Sequence, residues 1–300
     1  MQLRGLYTAL VTPFHPDGSL DTTSLRRLVE FQIAHGVDGL VPVGTTGESP
    51  TVTHVENIEV IEQVVAFADG RVPVIAGTGS NATAEAVRMT KQAAEIGAAA
   101  TLQVAPYYNK PTQEGMYRHF CTVADEGGLP VIVYNIPGRT NCNIAPATIR
   151  RMADNSGIIG VKEAAGSIPQ AMDIISQRPK NFAVLAGDDN LILPMMMLGA
   201  DGVISVASNL IPAHMHQLIT AALNDQVETA RSLHYQLLPL FKAVFMQTNP
   251  IPIKYALAQR GIIDHNVLRL PMTALSQELH AEMDTILSSA PVEKPPVQAE

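Results

Sequence analysis

The sequence predicts an α/β protein, a (β/α)8 TIM barrel with a C-terminal helical appendage, and three observations carry that expectation. Eight short runs rich in Val, Ile, Leu and Ala recur, each followed by Gly, Pro or Asn and then by a segment of helical period. The runs are apolar throughout rather than alternating, as strands buried on both faces of a parallel sheet are. The first run leads into TPFHPDG, which lacks the glycine fingerprint of the competing fold, an open doubly wound dinucleotide-binding sheet.

In order, the expected strands are LYTALVTP (6–13), GLVPVG (39–44), VPVIAGTG (72–79), ATLQVAP (100–106), PVIVYNIP (130–137), IIGVKEA (158–164), FAVLAGDD (182–189) and GVISVASN (202–209). Helices are expected near 21–36, 53–69, 83–97, 113–126, 145–155, 168–178, 190–199 and 212–223. Asp21 and the Thr53/Glu56 capping box open two of them, and Pro146 and Pro212 sit in first turns. Gly36, Gly97 and Gly199 stand where helices should stop. Beyond 225 the strand signal ends; 227–245 and 270–290 read as helices, and 248–261 as two prolines followed by another helix. The barrel is therefore expected over residues 1–225, the appendage over 226–292, and a disordered Pro-rich tail over 293–300.

Composition narrows the function. With 46% apolar residues in 300, the chain can bury a large core. Twenty Lys and Arg stand against 28 Asp and Glu, for a formal charge of −8, and no basic cluster suggests nucleic acid. Two cysteines without metal-ligand spacing fit a reducing cytoplasm. The most apolar late stretch, LILPMMMLGA, is half the length a bilayer span needs.

A TIM barrel builds its site from the C-terminal ends of its strands. Those ends offer Thr45, Thr46 and Glu48, Tyr107 and Tyr108, Tyr134, Arg139, Lys162 and Asp188–Asp189, with no histidine or cysteine. Lys162 is the one lysine among these strand ends, following the apolar Ile158–Val161, and alternation puts it with Gly160 on one face. Facing the lumen, it would lose hydration, and its lowered pKa would free the amine to attack a carbonyl. The bland alternative is an ordinary ion pair with a carboxylate such as Asp188. GTTGE (44–48) is either a carboxylate cradle or a plain turn, and GTGSN (77–81) either a phosphate nest or a turn in which Asn81 caps a helix. Tyr107, Tyr108 and Tyr134 are either core filler or a hydroxyl chain for protons. Arg139 is either a solvated loop residue or a bidentate grip on a carboxylate. His214 and His216 lie in an expected helix, where residues two apart diverge, and Asp188–Asp189 reads as a helix cap; no metal site is expected.

GTTGES, PYYNKPTQEG, VYNIPGRT, GVKEA, GDD and GVISV, in that order and spacing, resemble the dihydrodipicolinate synthase family of pyruvate-dependent class I aldolases from about residue 3 to 290. The resemblance implies a lyase of lysine and diaminopimelate biosynthesis that condenses pyruvate with L-aspartate 4-semialdehyde without metal or organic cofactor. It implies that Lys162 forms the Schiff base and that Thr45, Tyr108 and Tyr134 relay protons. Thr46 would hold the pyruvate carboxylate, Gly187 and Ile204 would shape the pocket, and Arg139 would bind the semialdehyde carboxylate. It further implies a homotetramer, a dimer of dimers in which Tyr108 crosses into the neighbouring subunit's site. Ser49, Pro50, His54, Asn57, Asn81, Glu85 and Tyr107 match an inter-subunit pocket for L-lysine. Asn57 stands where lysine-sensitive bacterial members often carry His, and Pro50 where Ala is common, which implies weak inhibition. N-acetylneuraminate lyase and keto-deoxy-sugar-acid aldolases share the fold and the lysine, but the former usually has Ser-Thr in place of Thr45–Thr46 and lacks the arginine of PGRT. A catalytically silent, ligand-binding barrel would lack one of these groups, and all are present.

Overall fold

The computed structural model describes residues 3–293, so residues 294–300 of the expected tail lie outside the described residues. Eight parallel strands, β1 (Gly5–Ala9), β2 (Gly39–Val41), β3 (Ile75–Gly77), β4 (Ala100–Val104), β5 (Val131–Asn135), β6 (Ile158–Glu163), β7 (Ala183–Ala186) and β8 (Gly202–Ser205), run in the spatial order β2-β1-β8-β7-β6-β5-β4-β3. A parallel bridge between Leu40 and Val74 joins the two edges, and Gly77 N–H donates to Pro42 O beside it. The sheet is a nearly closed TIM barrel.

Among the described residues, nine α-helices accompany the strands: α1 (Thr22–Ala34), α2 (His54–Ala68), α3 (Thr83–Ile96), α4 (Gln113–Glu126), α5 (Pro137–Thr140), α6 (Pro146–Met152), α7 (Ile168–Gln177), α8 (Ile192–Met197) and α9 (Pro212–Leu223). α10 (Val227–Ala243), α11 (Ile251–Gln259) and α12 (Gln277–Ser289) follow. None of the described helices is long and apolar enough to cross a membrane.

The expected caps form. Asp21 accepts from Ser24 N–H at 2.9 Å, Thr53 and Glu56 close a capping box, and Gly97 ends α3 at φ 97°, where a side chain would be strained. Asn81 does not cap α3; its Nδ2 donates to Tyr107 O instead, and Ser80 Oγ accepts from Ala82 N–H. The PGRT turn is helical, a one-turn element the periodicity is too short to reveal. α11 begins at Ile251 with Pro252 in its first turn, and α12 begins later than expected, behind Pro271.

Two apolar cores result from strand alternation. Tyr7, Val41, Ile75, Leu102, Ile132, Leu185 and Ile204 fill the lumen. Their outward neighbours, such as Leu6, Leu40, Val133, Val161, Val184 and Val203, pack under the helices. Among the buried polar groups is His119 of α4, whose Nδ1 lies 3.0 Å from Thr83 Oγ1 and whose Nε2 has no partner among the described residues.

Burial lowers the His119 pKa from 6.5 to about 4. An unfolded chain takes this proton first as pH falls, so the unfolded state binds more protons across that window and stability drops with acidification. Between about pH 7 and pH 5, His119→Leu should therefore lose about 2 kcal/mol less stability than the parent chain. Urea denaturation at the two pH values checks this.

Candidate active site

β5 and β6 lie side by side with Tyr134 opposite Lys162, and Lys162 opposite Leu185 of β7. Lys162 is thus on the lumen face, as alternation requires, and only 4% exposed. Its Nζ lies 4.3 Å from the centroid of the Tyr134 ring. It makes no ion pair among the described residues, so the ordinary pairing with Asp188 does not form. Burial raises the Asp188 pKa, and the Lys162 charge pulls it back in part. Asp189 is held elsewhere: its Oδ2 accepts from Val206 and Ala207 N–H, 3.1 and 2.8 Å away. It therefore secures the turn after β8 and caps no helix following its own strand.

Gly187 is what lets Lys162 stand where it does. A Cβ on Gly187 would lie 2.5 Å from Ala164 Cβ and 3.1 Å from Lys162 Cε and from Glu163 O. Ile204 is fully buried in the lumen, paired with Tyr7.

Above this layer opens a cavity of about 270 Å³, lined by Gly44, Thr45, Ser49, Pro50, Tyr107, Tyr134, Arg139 and Thr140 among others. Lys162 and Thr46 are not lining residues; Tyr134 is the contact that joins Lys162 to the cavity. Arg139, in α5, is exposed at the mouth, and its Nη2 donates to Asn249 O at 3.1 Å. Tyr108 is 91% exposed with φ 72° and touches none of this cavity in the single chain.

The GTTGE segment is a tight loop rather than a strand end. Gly47 packs against Val43, where a Cβ would come within 2.9 Å of backbone, and its carbonyl accepts from Thr12 Oγ1 at 2.7 Å. Thr46 is buried, 2% exposed, and its Oγ1 accepts from Asn249 Nδ2 at 2.9 Å. Glu48 is buried too, and Lys254 Nζ of α11 donates to its Oε1 at 2.6 Å and to Thr12 O at 2.9 Å. Desolvation lowers the Lys254 pKa to about 8, with the Glu48 charge opposing the fall.

The expected effector residues fall into two groups. Ser49 and Tyr107 share the cavity with Thr45, and Asn81 braces Tyr107. Outside it, His54 Nε2 lies 3.2 Å from Glu85 Oε1, and Glu85 also accepts from Ser80 Oγ and faces Arg88 at 3.7 Å. Asn57 is buried and donates to Gly77 O.

Sequence reasoning missed Asn249 and Lys254 and assigned Glu48 no partner. The signal for Lys254 was present, a lone charge in IPIKYALA.

Among known proteins, the model of the dihydrodipicolinate synthetase family matches residues 2–290. A 4-hydroxy-tetrahydrodipicolinate synthase of Koribacter versatilis is 50% identical over 295 residues, 98% of each chain. The crystal structure of the chloride-inhibited dihydrodipicolinate synthase from Acinetobacter baumannii complexed with pyruvate superimposes with a TM-score of 0.95 at 40% identity, covering 97% of this chain and 100% of that one. A dihydrodipicolinate synthase from Cyanidioschyzon merolae with lysine bound gives 0.92 at 38% identity, over 95% and 97% of the two chains.

Removing the cation of the buried pair leaves Glu48 uncompensated. Lys254→Met should cost about 3–5 kcal/mol of stability, and adding Glu48→Gln should restore part of it. Thermal denaturation of the single and double variants reads both effects.

Proposed function

The chain belongs to the dihydrodipicolinate synthetase family, and we propose that it is a 4-hydroxy-tetrahydrodipicolinate synthase with Lys162 as its nucleophile. The observation that carries this is a buried lumen lysine with no carboxylate partner among the described residues, set against a tyrosine that opens onto a cavity. The Lys162 amine attacks the ketone carbon of pyruvate, water leaves, and an imine forms. Loss of a methyl proton gives the enamine, whose carbon attacks the aldehyde of L-aspartate 4-semialdehyde. The substrate's own amine then closes the ring onto the imine carbon and expels Lys162.

Tyr134 is the acid/base nearest the reacting carbons, with Thr45 beside it on the cavity wall. Thr46 and the loop N–H groups hold the pyruvate carboxylate, Gly187 and Ile204 shape its pocket, and Arg139 at the mouth holds the semialdehyde carboxylate. Tyr108 completes the relay from a second copy, and its near-complete exposure supports that assignment. This needs at least a dimer, and the assembly we propose is a homotetramer built as a dimer of dimers. The division at residue 225 belongs to the same proposal, with the C-terminal helices bracing the barrel mouth. L-Lysine acts as a weak inhibitor, because Glu85 is already engaged by Ser80, His54 and Arg88.

Borohydride with pyruvate should add a reduced adduct at Lys162, read by peptide mass, and Lys162→Arg should abolish it; no adduct with pyruvate would sink the proposal. Gly187→Ala should lower kcat/KM at least tenfold, about 1.4 kcal/mol of activation free energy, by displacing Lys162. Steady-state kinetics with a circular dichroism control checks this.

A further inference from the structure

Asn249 joins the two groups assigned to the two substrate carboxylates. It is 4% exposed and lies just before α11, whose Lys254 is anchored to the same loop through Glu48. Its side-chain Nδ2 donates to Thr46 Oγ1 at 2.9 Å, and its main-chain oxygen accepts from Arg139 Nη2 at 3.1 Å.

A threonine hydroxyl has one proton and can also accept, whereas an amide NH2 group only donates. The bond from Asn249 therefore makes Thr46 Oγ1 an acceptor on that side and leaves its one proton to donate elsewhere. A hydroxyl oriented this way suits an anion. We infer that Asn249 is a positioning residue: it orients the Thr46 hydroxyl as a donor to the pyruvate carboxylate and ties that subsite to Arg139. The inference rests on the role proposed above for Thr46. Asn249 touches neither substrate and acts through its neighbours. Because Arg139 uses the backbone oxygen of residue 249, side-chain substitutions there act on the pyruvate subsite and spare the semialdehyde subsite.

The test is steady-state kinetics of the full-length enzyme with both substrates across pH. In Asn249→Asp the ionised carboxylate claims the Thr46 proton and repels the substrate. The pyruvate KM should rise tenfold or more at about pH 8, a size typical of a lost bond to a charged group. Relative to the parent, it should fall back towards pH 6 as the buried acid takes up a proton and becomes a donor. In Asn249→Ala the rise should be independent of pH. In both variants kcat and the semialdehyde KM should stay within about threefold, since a hydrogen bond lost elsewhere costs little there. Adding Asn249→Ala to Thr46→Val should raise the pyruvate KM no further, because the pair acts as one unit.

An unchanged pyruvate KM in Asn249→Asp, beside a raised one in Thr46→Val, overturns the inference and leaves the role of Thr46 standing. An unchanged pyruvate KM in Thr46→Val overturns both. A parallel fall in kcat and rise in both KM values means that Asn249 is only structural, and that also overturns it. Should Asn249→Asp fail to fold, Asn249→Ala and the double variant still decide.

Discussion

Lys254 Nζ and Glu48 Oε1 meet at 2.6 Å with both side chains sealed from water, and the mouth of the barrel is organised around that contact. Neither charge could sit there alone, since each would lose its hydration without return. The pair therefore couples the C-terminal helices to the loop after β2. Around it, Lys254 also bonds Thr12 O, Arg269 N–H donates to Glu48 Oε2, and both cations lie 4.4 Å from the centroid of the Phe14 ring. Arg269 continues to Glu56 of the α2 capping box, whose pKa it holds down at about 2. A sharp, glycine-dependent loop is thus fixed from below by Thr12, from the side by α11 and from outside by Arg269.

β5 and β6 solve a related problem by setting an amide against a carboxylate. Tyr134 and Lys162 face the lumen, and the residues that follow them, Asn135 and Glu163, face outward and pair across the strands at 3.1 Å. Asn135 Oδ1 also accepts from Ile144 N–H, and its Nδ2 donates to Asn143 Oδ1. The stretch that returns from the Arg139 helix is tied down by the same side chain. Slippage by one residue would exchange the two faces, so the outward pair preserves the register on which the inward pair depends.

The fold was legible because the strands are compact apolar runs bounded by turn residues, and helices such as α1 and α2 carry their own caps. The site was legible where chemistry and strand period coincide, as at Lys162, Tyr134 and Gly187. It was hidden where a contact joins distant segments. Asn249 reaches Thr46 across 203 positions and Lys254 reaches Glu48 across 206, and no local pattern encodes either pairing. Asn81 failed as a cap for a similar reason, since Tyr107 O, distant in sequence, competes for its amide. The break before α12 is a milder case: the apolar period runs on through LPMTALS, but the backbone there turns non-helical after Pro271.

The contrast between the two buried lysines shows what a lone charge in an apolar run means. Both Lys162 and Lys254 are removed from water, and both lie 4.3–4.4 Å from the centroid of an aromatic ring, Tyr134 and Phe14 respectively. They differ in their carboxylates. Glu48 is free to meet Lys254 head on. Around Lys162, each acid is engaged or held back. Glu163 points outward to Asn135, Gln170 and Ala165 N–H. Asp189 is bound by the N–H groups of Val206 and Ala207. Asp188 is near enough for its titration to feel the amine but forms no ion pair with it. Lys254 has its nitrogen committed to Glu48 and to Thr12 O, whereas Lys162 forms no ion pair among the described residues and has its nitrogen open to a carbonyl. Both lysines are buried, and the placement of the surrounding acids decides which of them has its nitrogen engaged.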